Sequence, residues 1–208
     1  MADSLLDINY PTYPLFPFDP NWASEPKTMA SMTRRVVEFQ GTSQQLVLLT
    51  EDCPIQFNAA FLFTTKADIY TMWEFFCARR GRCQRFWIKH PKRLFRLKVA
   101  AGTGTDFLGC YPNAFHRPFR AYERLYIRMN NGDILTRSVT AAEYNEGEDR
   151  LDLTLDSNLD RDIGLTDYDC IGRLLLCRFD ADELPEVIYT TTISEVQFSF
   201  VELVQEYP

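Results

Sequence analysis

Six cysteines, two histidines and two short loops carry the residue types from which a reaction centre would be built. The cysteines are Cys53, Cys77, Cys83, Cys110, Cys170 and Cys177. Four thiolates converging in space would ligate an iron–sulfur cluster. The spacing gives that no support: no C-x-x-C occurs, and the 77/83 and 170/177 pairs are unlike zinc knuckles. Cys77 falls in a helical pattern and Cys177 in an apolar strand, where a thiol serves as a small hydrophobe. His90 and His116 stand in His90-Pro91 and His116-Arg117-Pro118, which reads as loop. A nucleophile–histidine–acid set is assembled in space, so spacing alone does not forbid one. Neither G-x-S-x-G nor H-E-x-x-H is present, however, and no catalytic residue and no cofactor is assigned.

Two loops imitate ligand-binding motifs. AAGTGTDFLG (100–109) has the glycine density of a phosphate loop. Phe107 stands where the third glycine belongs, no helical pattern follows, and G-K-[ST] is missing, so a hairpin tip is expected. DSNLDRDIG (156–164) begins like a calcium loop with Asp156, Asn158 and Asp160. Arg161 then occupies the position of the obligatory glycine, and a charged surface loop is expected.

Charge is distributed unevenly. Nine Lys or Arg and no acid lie between Arg79 and Lys98, whereas ten acids and only Arg150 and Arg161 lie between Glu143 and Asp169. Phe86, Trp87 and Phe95 interleave the basic run, as in single-strand nucleic-acid binders. A net charge of −7 and the alternation of apolar with basic residues speak against that use. Such runs form solvated faces, or complementary patches by which copies meet head to tail.

These residues must be positioned by short strands and one helix. Thr65 with Asp68 forms a capping pair, Ile69, Met72, Trp73 and Phe76 make one apolar stripe, and Arg79, Arg80 and Gly81 end a helix over 66–80. Strands are expected at 34–40, 44–50, 55–64, 84–89, 95–100, 124–129, 134–139, 150–155, 173–179 and 187–204. Asn131-Gly132 marks a hairpin. The fold class is therefore β-dominated with one main α-helix. Residues 1–30 form a Pro/aromatic arm, 31–94 with 178–208 the core, and 95–177 an inserted β-rich module.

At 208 residues and 46% hydrophobic content, the chain reads as globular. It opens without a signal-like segment and contains no run near the roughly 20 apolar residues that span a bilayer. Synthesis in a bacterial cytoplasm, reduced cysteines and no membrane insertion are the expectations. The arm, YPTYPLFPFDP, is too apolar to stand in water and must lie on its own domain or a neighbour's.

The order of features is similar to a known family. An aromatic-proline arm, a strand pair, then IQFNAAFLFTTKADIYTMWEFFCARRGRCQRFWIKHP and a terminal VQFSFVELV resemble the distal tail proteins of long-tailed phages and gene transfer agents. The resemblance covers 1–91 and the last twenty or so residues. It implies a split β-barrel of the tail-tube kind, six copies in a ring between the tube protein and the baseplate hub protein, and DNA passing through the lumen without reaction. It implies a virion location at the tail tip. The expected interface residues are Arg79, Arg80, Arg82, Arg85, Trp87 and Lys89 after the helix, and Tyr13, Phe16, Phe18 and Trp22 on the arm. A hub-type minor tail protein carrying a cysteine-ligated iron–sulfur cluster is the second reading, and a β-rich hydrolase the third.

Overall fold

A computed structural model describes residues 13–19, 27–30, 34–38, 44–48, 55–90, 95–112, 124–184, 186–188, 190 and 193–203. The chain divides into two compact units. One comprises Met1–Leu15, Trp87–Leu175 and Pro208, and the other Phe16–Phe86 and Leu176–Tyr207. The elements in chain order are β1 (Lys27–Ala30), β2 (Arg34–Glu38), β3 (Gln44–Leu48), β4 (Ile55–Phe63), α1 (Lys66–Arg79), a 3-10 turn (Gly81–Cys83), β5 (Phe86–Lys89), β6 (Phe107–Cys110), β7 (Arg124–Met129), β8 (Ile134–Asn145), β9 (Arg150–Leu155), β10 (Tyr168–Phe179), β11 (Glu186–Ile188) and β12 (Ser194–Glu202). Among the described residues the fold is β-dominated and mainly antiparallel, with one α-helix.

The helical unit carries the sheet order β1-β4-β12, with β11 beside the start of β12 and the last residues of β10 beside its end. β4 and β12 pair over eight positions, from Ser194↔Phe63 to Val201↔Gln56. Alternation along β12 buries Ser194, Val196, Phe198 and Phe200 on one face. That face meets α1 through Phe76, whose ring lies 5.0 Å from Phe179 and 6.3 Å from Phe198. Phe16, from the arm, sits among these rings: 5.1 Å from Phe61, 5.4 Å from Phe75 and 5.6 Å from Phe200. It is 0% exposed. The arm around Phe16 and Phe18 thus lies on its own unit, because a phenylalanine ring fills a seat in this core that nothing else occupies.

The other unit follows the path β10-β7-β8-β9-β6. Residues 95–101 make single bridges on both ends of that path, Leu97 to Cys110 and Phe95 to Ile171. Leu97, Leu108, Leu125, Ile127, Leu153 and Ile171 form its interior. The expected hairpin at Asn131-Gly132 joins β7 to β8, with Gly132 at φ 91, a left-handed value that suits glycine.

Several boundaries differ from those expected. The long strand over 187–204 is two strands, β11 and β12, folded back on each other with Glu186↔Val196 and Ile188↔Ser194. The reversal is closed by Thr190, whose N–H donates to the Ile193 carbonyl at 3.1 Å and whose Oγ1 accepts from Ile193 N–H at 3.0 Å. A threonine hydroxyl supplied the turn where β-branched residues suggested a continuing strand. Residues 95–100 make isolated bridges in place of a strand, β1 and β6 are additional, and β8 and β10 are longer than expected.

Candidate functional site

The helix and the turn after it position the candidate residues. Thr65 is the N-cap: its Oγ1 accepts the Asp68 N–H at 3.1 Å and donates to Asp68 Oδ2 at 2.7 Å. Met72 and Phe76 are buried, and Phe75 packs 5.3 Å from Phe86. The expected stripe of Ile69, Met72, Trp73 and Phe76 needs correction at Trp73. That indole is 41% exposed and donates Nε1–H to Glu186 Oε2 at 3.1 Å. Phe75, half-buried, packs against the phenylalanine cluster instead, 5.4 Å from Phe16.

The helix stop also differs from expectation. Arg80 itself is the left-handed cap, at φ 52 and ψ 49, with its N–H on the Cys77 carbonyl at 3.1 Å. Gly81 follows at φ 57. A Cβ at Gly81 would lie 2.9 Å from the Asp182 Cα and 2.6 Å from its Oδ1. The same Asp182 carboxylate accepts the Arg82 N–H at 3.0 Å. The turn is therefore clamped by Asp182, and it holds Arg80 and Arg82 out to solvent. Neither makes an ion pair among the described residues. Arg79, half-buried, lies over the Phe75 ring at 5.7 Å.

The remaining expected interface residues fall in several settings. Trp87 is buried; its N–H donates to the Pro14 carbonyl at 2.9 Å and the Arg124 guanidinium covers its ring at 5.3 Å. Phe16 is interior, as described. Phe18 is half-buried, 4.9 Å from Phe63, and Tyr13, Arg85 and Lys89 are half-buried. Trp22 lies outside the described residues.

The two imitation motifs fold onto each other. Asp162 Oδ1 accepts from Thr103 N–H at 2.6 Å and Thr103 Oγ1 at 2.9 Å, and these donors hold its carboxyl below the usual range. Gly104 N–H goes to the Leu159 carbonyl at 2.9 Å, and Asp156 Oδ1 accepts Ser138 N–H at 3.1 Å. The glycine loop spends these donors on its own chain. Several acids of 143–169 are likewise paired on their own chain: Glu148 and Asp152 with Arg150, Asp160 with Arg161, Asp169 with Arg128, and Asp149 with Lys98.

Among the described residues, no group of three or more His, Cys, Asp or Glu is placed to hold a metal ion. Cys53 and His116 lie outside them, and His90 is buried, with its backbone N–H on the Arg173 carbonyl at 2.8 Å. Cys77 and Cys83 are exposed; Cys110, Cys170 and Cys177 are buried. Burial, aided by Asp152, pushes the Cys110 thiol up to about 12, and burial raises Cys177 well above its ordinary value. A raised folded-state pKa gives stability that is complete below the unfolded thiol's 9.0 and is lost as pH rises toward about 12. In urea titrations over that window, Cys110→Ala is expected to flatten the alkaline loss by about 1.4 kcal/mol per pH unit relative to the native chain. An unchanged slope would mean the Cys110 thiol ionises in the fold.

One surface was missed by sequence reasoning. Lys66, Ile69, Tyr70 and Trp73 of α1 face Glu186, Ile188, Thr190 and Ser194 across a groove of about 610 Å³. Tyr70 is 68% and Ile188 69% exposed. Ser194 Oγ, buried among the groove-lining residues, has no hydrogen-bond partner among the described residues. The signal was the run Val187-Ile188-Tyr189, which breaks polar/apolar alternation at the margin of a sheet.

No protein-family model matches the chain, and no curated protein matches it.

Proposed function

We propose that the chain is a structural subunit of a long-tailed phage tail tip. Copies assemble head to tail into a ring, a hexamer in the family it resembles, which joins the tail tube protein to the baseplate hub protein and lets DNA pass through its lumen. In this reading the helical unit is the split-barrel half of the tail-tube kind, and the Trp87–Leu175 unit is a module added to it. No turnover and no cofactor belong to this role.

The observation that carries the reading is the arginine turn. A left-handed helix cap favours glycine, and an L-residue there costs about 1 kcal/mol. Arg80 occupies the position nonetheless, is exposed, and has no ion-pair partner among the described residues. Gly81 and Asp182 hold Arg80 and Arg82 in one geometry. A pair of outward cations on a fixed backbone turn, kept at a cost to the fold, suits a contact that sets register with an acidic neighbour.

The test separates stability from assembly. Arg80→Gly is expected to raise the unfolding free energy by about 1 kcal/mol. The same variant should lower the assembled mass measured by light scattering at low salt, and the native assembly should loosen in high salt. Higher stability with unchanged assembly would remove the arginine turn from the joint.

A further inference from the structure

The groove between α1 and β11 has an unmet hydrogen bond at its floor and two aromatic rings on its wall. We propose that it is a binding site for a neutral oligosaccharide. The proposal stands on the helical unit alone and does not depend on the assembly reading above.

Ser194 supplies the first observation. It is 1% exposed and shares the buried face of β12 with Val196 and Phe198, the face that α1 covers. Ser194 lines the groove, and its Oγ finds no hydrogen-bond partner among the described residues. A buried hydroxyl in that state weakens a fold unless a partner is supplied from elsewhere. The open space beside it is the groove, so a hydroxyl on a ligand is the partner it fits.

The wall supplies the second. Tyr70 and Trp73 are both exposed and both line the groove. Residues three apart on a helix stand about 5–6 Å from each other at Cβ, so successive sugar rings can meet one aromatic each. The Trp73 ring is fastened across the groove by its Nε1–H, which donates to Glu186 Oε2 at 3.1 Å. A platform fixed before binding loses little freedom when a ligand arrives. A pyranose has an apolar C–H face that packs on an aromatic ring and a rim of hydroxyls that point away from it.

The polar groups select this ligand over others. The same hydrogen bond orients Glu186, whose Oε1 accepts nothing from the described residues and stands as an acceptor. Lys66, on the helix turn before Tyr70, lines the groove as a donor and makes no ion pair among the described residues. One ammonium and one carboxylate leave the groove without a net charge. A cationic ligand meets Lys66 and an anionic one meets Glu186, each with the same sign. Sugar hydroxyls both donate and accept, so they satisfy Lys66, Glu186 and Ser194 together. A purely apolar occupant leaves the Ser194 hydroxyl as it is.

The test is calorimetric titration of the full chain with linear hexasaccharides of glucose, N-acetylglucosamine, mannose and galactose. Tetramethylammonium and free phenylalanine serve as cationic and zwitterionic probes. At least one hexasaccharide is expected to bind with a Kd of about 1 mM or tighter. Trp73→Ala and Ser194→Ala should each weaken it about five-fold, through the lost ring and the lost hydrogen bond. Ser194→Ala should also raise the Tm of the ligand-free protein, because the unmet hydroxyl is gone. Trp73→Phe keeps a ring in place should the alanine variant fail to fold, and it is expected to bind more tightly than Trp73→Ala. Failure of all four sugars to bind, or a sugar affinity unchanged in both Trp73 variants, would overturn the proposal. Binding of tetramethylammonium or phenylalanine with no sugar would overturn it too, and would give the groove to that class. A lowered Tm in Ser194→Ala with unchanged affinity would show that the hydroxyl serves the fold and would remove it from the site.

Discussion

Phe16→Ala will lower the unfolding free energy of the isolated chain by about 4 kcal/mol, the usual cost of removing a fully buried phenylalanine. For a chain of 208 residues this is a drop of about 12 °C in Tm. The size follows from position. Phe16 meets the rings of Phe61, Phe75, Phe86, Phe179, Phe198 and Phe200 within 6.4 Å, and its own ring is shielded from water on all sides. A methyl group in its place leaves a cavity bounded by rigid aromatic neighbours that cannot close over it. Thermal unfolding of the variant at a concentration below assembly decides the matter. An unchanged Tm there would mean that the arm seats on a neighbouring copy and not on its own core.

Gly81→Ala is expected to cost about 3 kcal/mol, from two sources that add. The residue sits at φ 57, where an L side chain is strained, and its new methyl would press on the Asp182 backbone at 2.9 Å. Backbone cannot swing aside as a flexible side chain can, so the turn must open. Opening it releases the Arg82 N–H from Asp182 Oδ1 and frees Arg80 and Arg82 to wander. The variant should therefore lose assembly as well as stability, whereas Arg80→Gly loses assembly while gaining stability. Urea unfolding monitored beside light scattering measures both. A cost below about 1 kcal/mol would show that the chain near Asp182 yields easily and that the arginine turn is not held rigid.

How much of this was legible in the sequence depends on whether the deciding group lay nearby in the chain. Thr65 and Asp68 are three residues apart, and their capping pair formed as read. Asn131-Gly132 likewise carries its turn in its own two residues. The helix stop was half legible: Gly81 announced a left-handed conformation, but Arg80 shares it, because Asp182, about a hundred residues on, fixes the path of the turn. Trp73 looked like core by spacing. Phe75 and Phe76 both pack on the phenylalanine cluster, against Phe16 and Phe179, which are remote in sequence. The 187–204 run kept its alternation through a reversal made by one threonine hydroxyl, a signal that periodicity does not contain. Burial of Trp87 beneath Arg124 was hidden for the same reason: a basic, aromatic strand reads alike whether it faces solvent or its own core.

The central claim is closed self-assembly, and electron microscopy of negatively stained, purified full-length protein at low salt tests it most directly. The account predicts annular particles of one subunit number, with a central opening, that disperse when the salt is raised. Monomers at every concentration, or particles without an opening, would contradict it.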